Sequence, residues 1–378
     1  MFVFNVDARV VEEFSLLPIL NLLLPLLLTA VLVDFLRPAA VRVGLVDSPG
    51  GRKRHADAVP LVGGIAIMFA FWLCSVLFLG MVSPYKALIV GMGILLVVGV
   101  LDDLRNLAPK NKLLHQFLAV VLMTSWGGLY LRDLGDLFGA GAVLLFDWGI
   151  PLTLFAAISV INAYNMSDGI DGLAGGWGLI AFGAMAYIAN EIGAESAVRL
   201  IVVMIGCLSG FLFFNLRHPW RHRAAVFLGD AGSMTIGFAV VWFSIELTQR
   251  GGASGDVLPP VVMLWVVGLP LIDMFAVTLR RLAKRRNPLL PDRTHLHHVL
   301  LRVGLSDRRI VFWLMAVNCV LALIGIVGWK TDVPENVMLL TFCALAASYL
   351  YAARHAWRFS RLLRAGLRRG RATSNHLL

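Results

Sequence analysis

The sequence predicts an all-α integral membrane protein with about eleven transmembrane helices, and two observations carry that prediction. The chain of 378 residues is 59% hydrophobic and 15% charged, whereas a soluble domain carries about 25% charged residues. Apolar runs of roughly twenty residues recur along the chain, and a helix of this length crosses the hydrocarbon core of a bilayer. The composition therefore argues against a soluble multi-domain protein.

The predicted spans follow the apolar runs in chain order, and Pro and Gly cluster at their ends. They cover 14–36, 62–81, 86–101, 113–131, 142–161, 177–190, 198–215, 231–248, 257–278, 310–329 and 337–353. We expect the first span to be retained, because it lacks a clear small-residue cleavage site. Residues 1–353 are thereby predicted to form a single polytopic domain, and residues 354–378 a basic tail.

The distribution of Lys and Arg predicts the orientation in the membrane. If the N-terminus lies outside, all but six of the 33 Lys and Arg fall on the inner side. That side holds the tail and the loops 37–61, 102–112, 162–176, 216–230 and 279–309. The positive-inside rule then predicts a periplasmic N-terminus and a cytoplasmic C-terminus. We assign the net charge of +10 to contact with anionic membrane lipid. A tail that binds nucleic acid is the less favoured alternative.

One polar stretch, NAYNMSDGIDGLAGG at 162–176, directly follows a predicted span. Asn162, Asn165, Asp168 and Asp171 are spaced by three residues, so a continuing helix would align them on one face. Carboxylate and carboxamide oxygens are the ligands that hard cations prefer. A polar loop with a helix cap is the simpler alternative, but it explains one Asp and not the periodic set.

Two further acidic motifs lie at span ends. Asp102 and Asp103 end the third span, where adjacent carboxylates repel each other and require a metal ion or a nearby Lys, Lys110 or Lys112. Asp230 opens the eighth span among glycines that leave room for phosphate oxygens near a helix N-terminus. A solvated helix end and an N-cap are the respective alternatives.

The predicted inner loops also carry histidines and basic residues. Arg293, His295, His297 and His298 stand in PDRTHLHH, a combination suited to binding phosphate and a sugar. The oxygen-rich surroundings favour Mg²⁺ or Mn²⁺ over zinc. In RKRH at 52–55, Lys53 and His55 are candidates to face a phosphate, although positive-inside topology alone could explain this run.

All these motifs fall on the predicted cytoplasmic side. Carboxylates with a divalent cation, surrounded by cationic groups, suit chemistry on phosphates, because charge is neutralised and the reacting oxygens are aligned. A one-sided site also argues against a transporter or lipid flippase, which needs ionisable groups deep within its spans. Glu246 and Asp273 are the nearest candidates for such groups, and both lie near predicted span ends.

The motifs resemble those of the polyprenyl-phosphate N-acetylhexosamine-1-phosphate transferases. The resemblance rests on NAYNMSDGIDGLAGG, VFLGDAGS, the LDD at 101–103 and PDRTHLHH, with GLVDSPGGRKRH at 44–55, PLVGG at 60–64 and DMFAVTLRRL at 273–282. They run in family order from about residue 44 to residue 305. The branch they resemble most transfers N-acetylglucosamine 1-phosphate from UDP-GlcNAc to undecaprenyl phosphate in the bacterial inner membrane, which starts O-antigen and related glycans of lipopolysaccharide. The histidine motif argues against the cell-wall branch.

The resemblance implies a role for each motif. Asn165 and Asp230 would bind Mg²⁺, and Asp102 would deprotonate or orient the lipid phosphate with support from Asp103. A covalent Asp intermediate is the competing mechanism. Asp168 and Asp171 would form the rim of the site, with Asp171 and Asn162 toward the nucleotide and sugar. Asn215 and Phe227 would line the uridine pocket, and Arg293, His295, His297 and His298 would read the sugar and the pyrophosphate.

Three features remain open at this level. The first acidic motif is often written DDxxD or DDxxK, but its fifth position here is Asn106, which makes a metal role there doubtful. The sugar donor could also be another UDP-N-acetylhexosamine, such as UDP-FucNAc or UDP-QuiNAc. The hydrophobic faces of the spans could support a homodimer, and lipid contact explains them as well.

Overall fold

The computed structural model describes residues 17–47, 58–79, 84–218, 221–251, 258–287 and 295–355, and this part of the chain is mainly helical. The helices are α1 (Leu17–Val43), α2 (Gly63–Leu79), α3 (Lys86–Arg105), α4 (Pro109–Ser125), α5 (Gly149–Ser167), α6 (Leu173–Glu191), α7 (Glu195–Asn215), α8 (Gly229–Gln249), α9 (Pro260–Val266), α10 (Gly268–Ala283), α11 (Leu296–Val303), α12 (Asp307–Lys330) and α13 (Glu335–Arg354). A short 3-10 helix, Phe146–Trp148, precedes α5. The strands β1 (Val46–Asp47) and β2 (Val59–Pro60) pair antiparallel.

These helices confirm a multi-pass membrane protein. Within the described residues, eight helices are long and apolar enough to cross a membrane, or nine if α9 and α10 form one broken span. Each of the eleven predicted spans coincides with a helix or with this pair. However, α2 and α4 have only 17 residues each, so the number eleven stays a prediction, as does the orientation of the termini.

Two departures from the predicted pattern have local causes. The ninth predicted span is broken by a 78° bend between α9 and α10, beside Gly268 and Pro270. Amphipathic α11 was not predicted as a helix, because its eight residues, LHHVLLRV within a basic loop, are too few for a clear period.

Helix α8 forms the centre of the fold, and α13 lies at its edge. In their most apolar windows, 94% of the α8 residues are buried inside the protein, against 6% of those in α13. Glycines let the neighbouring helices approach α8 closely, since a Cβ at Gly99 or Gly64 would collide with the backbone of Ala231 or Gly232. This packing brings the C-terminal ends of α3 and α5 to the N-terminal end of α8.

The β-hairpin joins the same end of the bundle. Phe227 N donates to Pro60 O at 2.9 Å, while Gly63 N and Gly64 N donate to the carbonyl oxygens of Phe227 and Leu228, both at 3.0 Å. The segment that enters α8 is therefore held by backbone hydrogen bonds to the segment that enters α2. These bonds position Asp230 relative to the rest of the site.

Candidate active site

Three of the predicted carboxylates meet where α3 ends and α8 begins. Asp103 Oδ1 accepts a hydrogen bond from Asp230 N at 3.0 Å, and its Oδ2 accepts one from Ala231 N at 3.4 Å. Asp103 therefore caps the N-terminus of α8 from another helix, where the helix dipole favours a negative charge. Its two hydrogen bonds hold the first residues of α8, including Asp230, in place.

Lys112 bridges the other two carboxylates of this group. Its Nζ lies 2.8 Å from Asp102 Oδ2 and 2.6 Å from Asp230 Oδ2. Asp102 Oδ1 accepts a further hydrogen bond from Leu107 N at 2.6 Å. The counter-charge that the adjacent carboxylates require is thus the Lys112 ammonium, whereas Lys110 is exposed. Both lysines were candidates from the sequence, because both lie close in the chain to Asp102 and Asp103.

Asn165 lies against Asp230 on the side away from Lys112. Its Nδ2 donates to Asp230 Oδ1 at 2.9 Å and to Ser233 Oγ at 3.0 Å. Among the described residues, no three His, Cys, Asp or Glu side chains stand in an arrangement that would hold a metal ion. The donors nevertheless fit Mg²⁺ chemically, because Asp230, Asn165 and the nearby Asp168 present carboxylate and carboxamide oxygens and no sulfur.

Asp168 adds a negative charge at the same place. Burial raises the pKa of the Asp168 carboxyl well above its usual range, and the neighbouring carboxylates of Asp230, Asp103 and Asp171 raise it further. Proximity to other carboxylates disfavours ionisation. The site therefore holds more carboxylates than Lys112 alone neutralises, and a bound cation would favour their ionised form.

The predicted helical face of polar residues is interrupted after Asn165. Helix α5 ends at Ser167, and Gly172 adopts a left-handed φ of 85° before α6 begins. Asp168 and Asp171 therefore lie in a turn. The prediction that one continuous helix aligns Asn162, Asn165, Asp168 and Asp171 on one face is wrong. Asn162 donates to Gln116 Oε1 at 2.7 Å and to Ile158 O at 2.8 Å, so it faces α4.

Asp171 takes part in an ion-pair network at the rim of the site. Arg217 Nε lies 2.7 Å from Asp171 Oδ2, and Arg217 Nη1 lies 2.8 Å from Asp307 Oδ2. Partial burial opposes the charge of Arg217, but the two carboxylates outweigh it and raise the pKa of the guanidinium. The network ties the turn after α5 to the start of α12. Arg217 gave no signal in the sequence, because its partners are distant in the chain.

Asn215 lies against the backbone segment that leads to Phe227. Asn215 Oδ1 accepts a hydrogen bond from Gly172 N at 2.6 Å, and its Nδ2 donates to Val226 O at 2.8 Å. Both Asn215 and Phe227 line the main cavity. In this structure the carboxamide of Asn215 holds two backbone segments together.

Three of the predicted histidines, His295, His297 and His298, pack as a group at the start of α11. The His295 and His297 rings stack with their centroids 5.8 Å apart, and the His297 and His298 centroids are 4.2 Å apart. Burial lowers the pKa of His297 to about 3, helped by the neighbouring His298. His298 lines the cavity. The other predicted ligands in basic loops, Lys53, His55 and Arg293, lie outside the described residues.

A large cavity connects these groups. Its volume is about 1520 Å³, more than a typical small-ligand pocket of roughly 300–1,000 Å³. Asp102, Asp103, Asp168 and Asp230 line it together with arginine and histidine side chains. These include Arg37, Arg217, His222, Arg223, His298 and Arg302. Such mixed charge, at one end of a bundle of apolar helices, suits an anionic substrate that reacts at a membrane surface.

Fold and site together define a polytopic membrane enzyme with a polar, carboxylate-rich cavity suited to phosphate groups. The chain belongs to glycosyl transferase family 4, whose family model matches residues 85–248. This membership agrees with the resemblance that the motifs indicated.

The chain is similar over most of its length to several bacterial proteins named undecaprenyl-phosphate alpha-N-acetylglucosaminyl 1-phosphate transferase. It is 37% identical to the Yersinia pestis protein over 341 residues, which is 90% of this chain and 92% of that relative. It is 38% identical to the protein of Escherichia coli strain K12 over 359 residues, or 93% and 96% of the two chains. The Haemophilus influenzae protein is 37% identical over 338 residues, or 89% and 94%.

Proposed function

We propose that this protein transfers N-acetylglucosamine 1-phosphate from UDP-GlcNAc to undecaprenyl phosphate. The lipid phosphate attacks the β-phosphorus of UDP-GlcNAc, the bond to UMP breaks, and undecaprenyl-pyrophosphoryl-N-acetylglucosamine forms. Identity of 37–38% over nine-tenths of the chain to transferases named for this lipid and sugar supports the proposal. The observation that carries it is the hydrogen-bonded cluster of Asp102, Lys112, Asn165 and Asp230, whose two aspartates line a cavity that arginine side chains also line.

Each side chain of this cluster has its own role in the proposed reaction. Asp102 orients the attacking lipid phosphate or accepts its proton, and Lys112 attracts the two phosphate groups while it neutralises the carboxylates. Asp103 keeps the N-terminus of α8 in place. Asn165 and Asp230 would hold Mg²⁺, which when bound neutralises the pyrophosphate. Displacement of the Lys112 ammonium from Asp230 would free a carboxylate oxygen for that ion.

The remaining cavity residues receive the donor substrate. Arg223 and Arg302 supply positive charge for the pyrophosphate, and His298 supplies hydrogen bonds for the sugar and the pyrophosphate. Asn215 and Phe227 line the part of the cavity that binds the uridine. We place the site on the cytoplasmic face of the bacterial inner membrane, because the donor is a cytoplasmic nucleotide sugar and the inner loops carry most of the Lys and Arg.

Release of UMP tests the proposal directly. Purified protein is given UDP-GlcNAc, undecaprenyl phosphate and Mg²⁺, and each is then omitted in turn. Release that needs all three supports the proposed reaction. Release with another UDP-N-acetylhexosamine and none with UDP-GlcNAc would keep the reaction class and change the sugar. Folded protein that releases UMP from no UDP-sugar would overturn the proposal.

A further inference from the structure

Asp273 is a buried carboxylate that the proposed reaction does not use. It lies within α10 and is only 3% exposed. A charge or a polar group in such a place is costly unless hydrogen bonds satisfy it. Asp273 accepts three of them, and each donor comes from a segment outside its own helix. The arrangement of these donors indicates what the carboxylate does.

One donor is the backbone at the start of α11. Leu296 N donates to Asp273 Oδ1 at 3.0 Å, and Leu296 is the first residue of that helix. The N-cap residue, His295, makes no capping hydrogen bond with its own side chain. Asp273 therefore caps α11 from another helix and places a carboxylate at the positive end of its dipole. This contact determines where the histidine-bearing helix begins.

The other two donors are side chains. His295 Nδ1 lies 2.9 Å from Asp273 Oδ2, and both side chains are nearly inaccessible to solvent. Tyr349 in α13 donates its hydroxyl hydrogen to Asp273 Oδ1 at 2.6 Å. A carboxylate can only accept, so it favours the His295 tautomer that carries its proton on Nδ1 and has Nε2 as the acceptor.

The orientation of His295 extends to the other two histidines. The rings of His295 and His297 are nearly parallel, with an angle of 8° between their planes. His297 in turn contacts His298, and His298 lines the cavity. The Nε2 atom of His297 lies 2.8 Å from where a Cβ on Gly169 would stand. The histidine group thus reaches the turn that carries Asp168.

We propose that Asp273 is a positioning residue that acts through His295: it sets the tautomer and ring orientation of His295 and anchors α11 beneath the active-site cavity. This inference rests on the proposed transferase function. Tyr349 contributes the third hydrogen bond and ties α13 to the same carboxylate. Asp273 itself does not touch the substrates.

Asp273→Asn tests the proposal with little change in volume. The amide oxygen still accepts from Leu296 N and Tyr349, while the amide nitrogen faces His295 Nδ1 and forces the ring proton to Nε2. We expect turnover to fall on the order of 10²-fold or more, as for an imidazole held in the wrong tautomer. The KM for UDP-GlcNAc should change less than the turnover number.

The matched control is Glu246→Gln in α8. Glu246 is also a buried carboxylate, 8% exposed, and it accepts from Tyr85 and Trp242. Neither Glu246 nor these two hydrogen-bond donors line the cavity. We expect wild-type turnover from Glu246→Gln. Equal losses of turnover in the two variants would overturn the proposal, because any buried acid would then have the same effect.

A double-mutant cycle separates positioning from mere support of the fold. In a His295→Ala background, adding Asp273→Asn should lower turnover less than about 3-fold, because the residue through which Asp273 acts is already absent. If Asp273→Asn lowers turnover by the same factor with and without His295, the proposal is wrong. Wild-type turnover of the single Asp273→Asn variant would also overturn it.

Two further measurements cover the remaining outcomes. Deuterium uptake over 295–303 should rise in Asp273→Asn and not in Glu246→Gln, a readout that does not depend on the proposed reaction. If Asp273→Asn cannot be isolated folded, His295→Asn takes its place, because its amide can still donate to Asp273 while Nε2 of the ring is lost. We expect that variant to keep α11 protected and to lose turnover, and unchanged turnover would overturn the proposal.

Discussion

Lys112 and Asp230 form an ion pair of 2.6 Å across 118 residues of sequence. The same ammonium also contacts Asp102, so one lysine neutralises two carboxylates at the junction of α3, α4 and α8. A divalent cation and a bound phosphate would compete for the same groups. We therefore expect binding of either group to weaken this ion pair.

Lys112→Gln should lower UMP release at least 10-fold, because the two carboxylates lose their fixed counter-charge and repel the phosphates. Lys110→Gln is the control, since Lys110 lies two residues earlier and is exposed. The measurement is the rate of UMP release over a series of Mg²⁺ concentrations. Wild-type rates at every concentration would show that the ammonium contributes nothing to the reaction.

Asp230→Ala should abolish turnover, and we expect Mg²⁺ to stabilise the wild-type protein but not this variant. A ligand that binds only the folded state raises the midpoint of thermal unfolding, and loss of its site removes that rise. The measurement compares unfolding with Mg²⁺ and with EDTA in detergent. A variant that keeps turnover within a few-fold of wild type would contradict the metal role of Asp230. Glu246→Gln, remote from the cavity, should keep the response to Mg²⁺.

Gly229→Ala should destabilise the protein and impair the site together. Gly229 has a left-handed φ of 75°, and a Cβ there would lie 2.5 Å from Asp103 Oδ2. The left-handed conformation costs a residue with a Cβ about 1–2 kcal/mol, and the contact would displace the cap of α8. Thermal unfolding and UMP release are measured side by side. Gly183→Ala is the control, since a Cβ at Gly183 meets no atom within 4 Å; equal behaviour of the two variants would refute the argument.

The buried His297 predicts a loss of stability in acid. Burial lowers the pKa of His297 to about 3 in the folded protein, whereas a His in an unfolded chain titrates near 6.5. Below about pH 6.5 the unfolded chain therefore binds a proton that the folded protein does not. The free energy of unfolding should therefore fall as the pH drops from about 6.5, by about 2 kcal/mol at pH 5.

His297→Gln should remove this contribution. The shift of the unfolding midpoint between pH 7.5 and pH 5 should be smaller in His297→Gln than in wild type. His222→Gln serves as the control, because His222 is exposed. An identical pH shift in wild type and His297→Gln would show that His297 is not the responsible group.

Several site residues could be predicted from local pattern alone. Asp102, Asp103, Asp168 and Asp230 were identified from their positions at the ends of apolar runs, and the structure brings them to one cavity. Lys112 and Arg217 could not be selected, because each is one of many basic residues in loops predicted to be basic. Asn162 matched the spacing of Asn165 but faces Gln116, since the packing of α4 against α5 decides the environment of each position on the helix.

By itself, the sequence determined the membrane class, the approximate helices and the motifs that resemble one family of transferases. These follow from hydropathy and from residue spacing, which depend on neighbours close in the chain. Only the tertiary structure decided the partners: Lys112 between Asp102 and Asp230, Asp103 at the start of α8, and Asp273 at the start of α11. These contacts join residues far apart in sequence, and they form only when helix packing sets the rotation and depth of each helix.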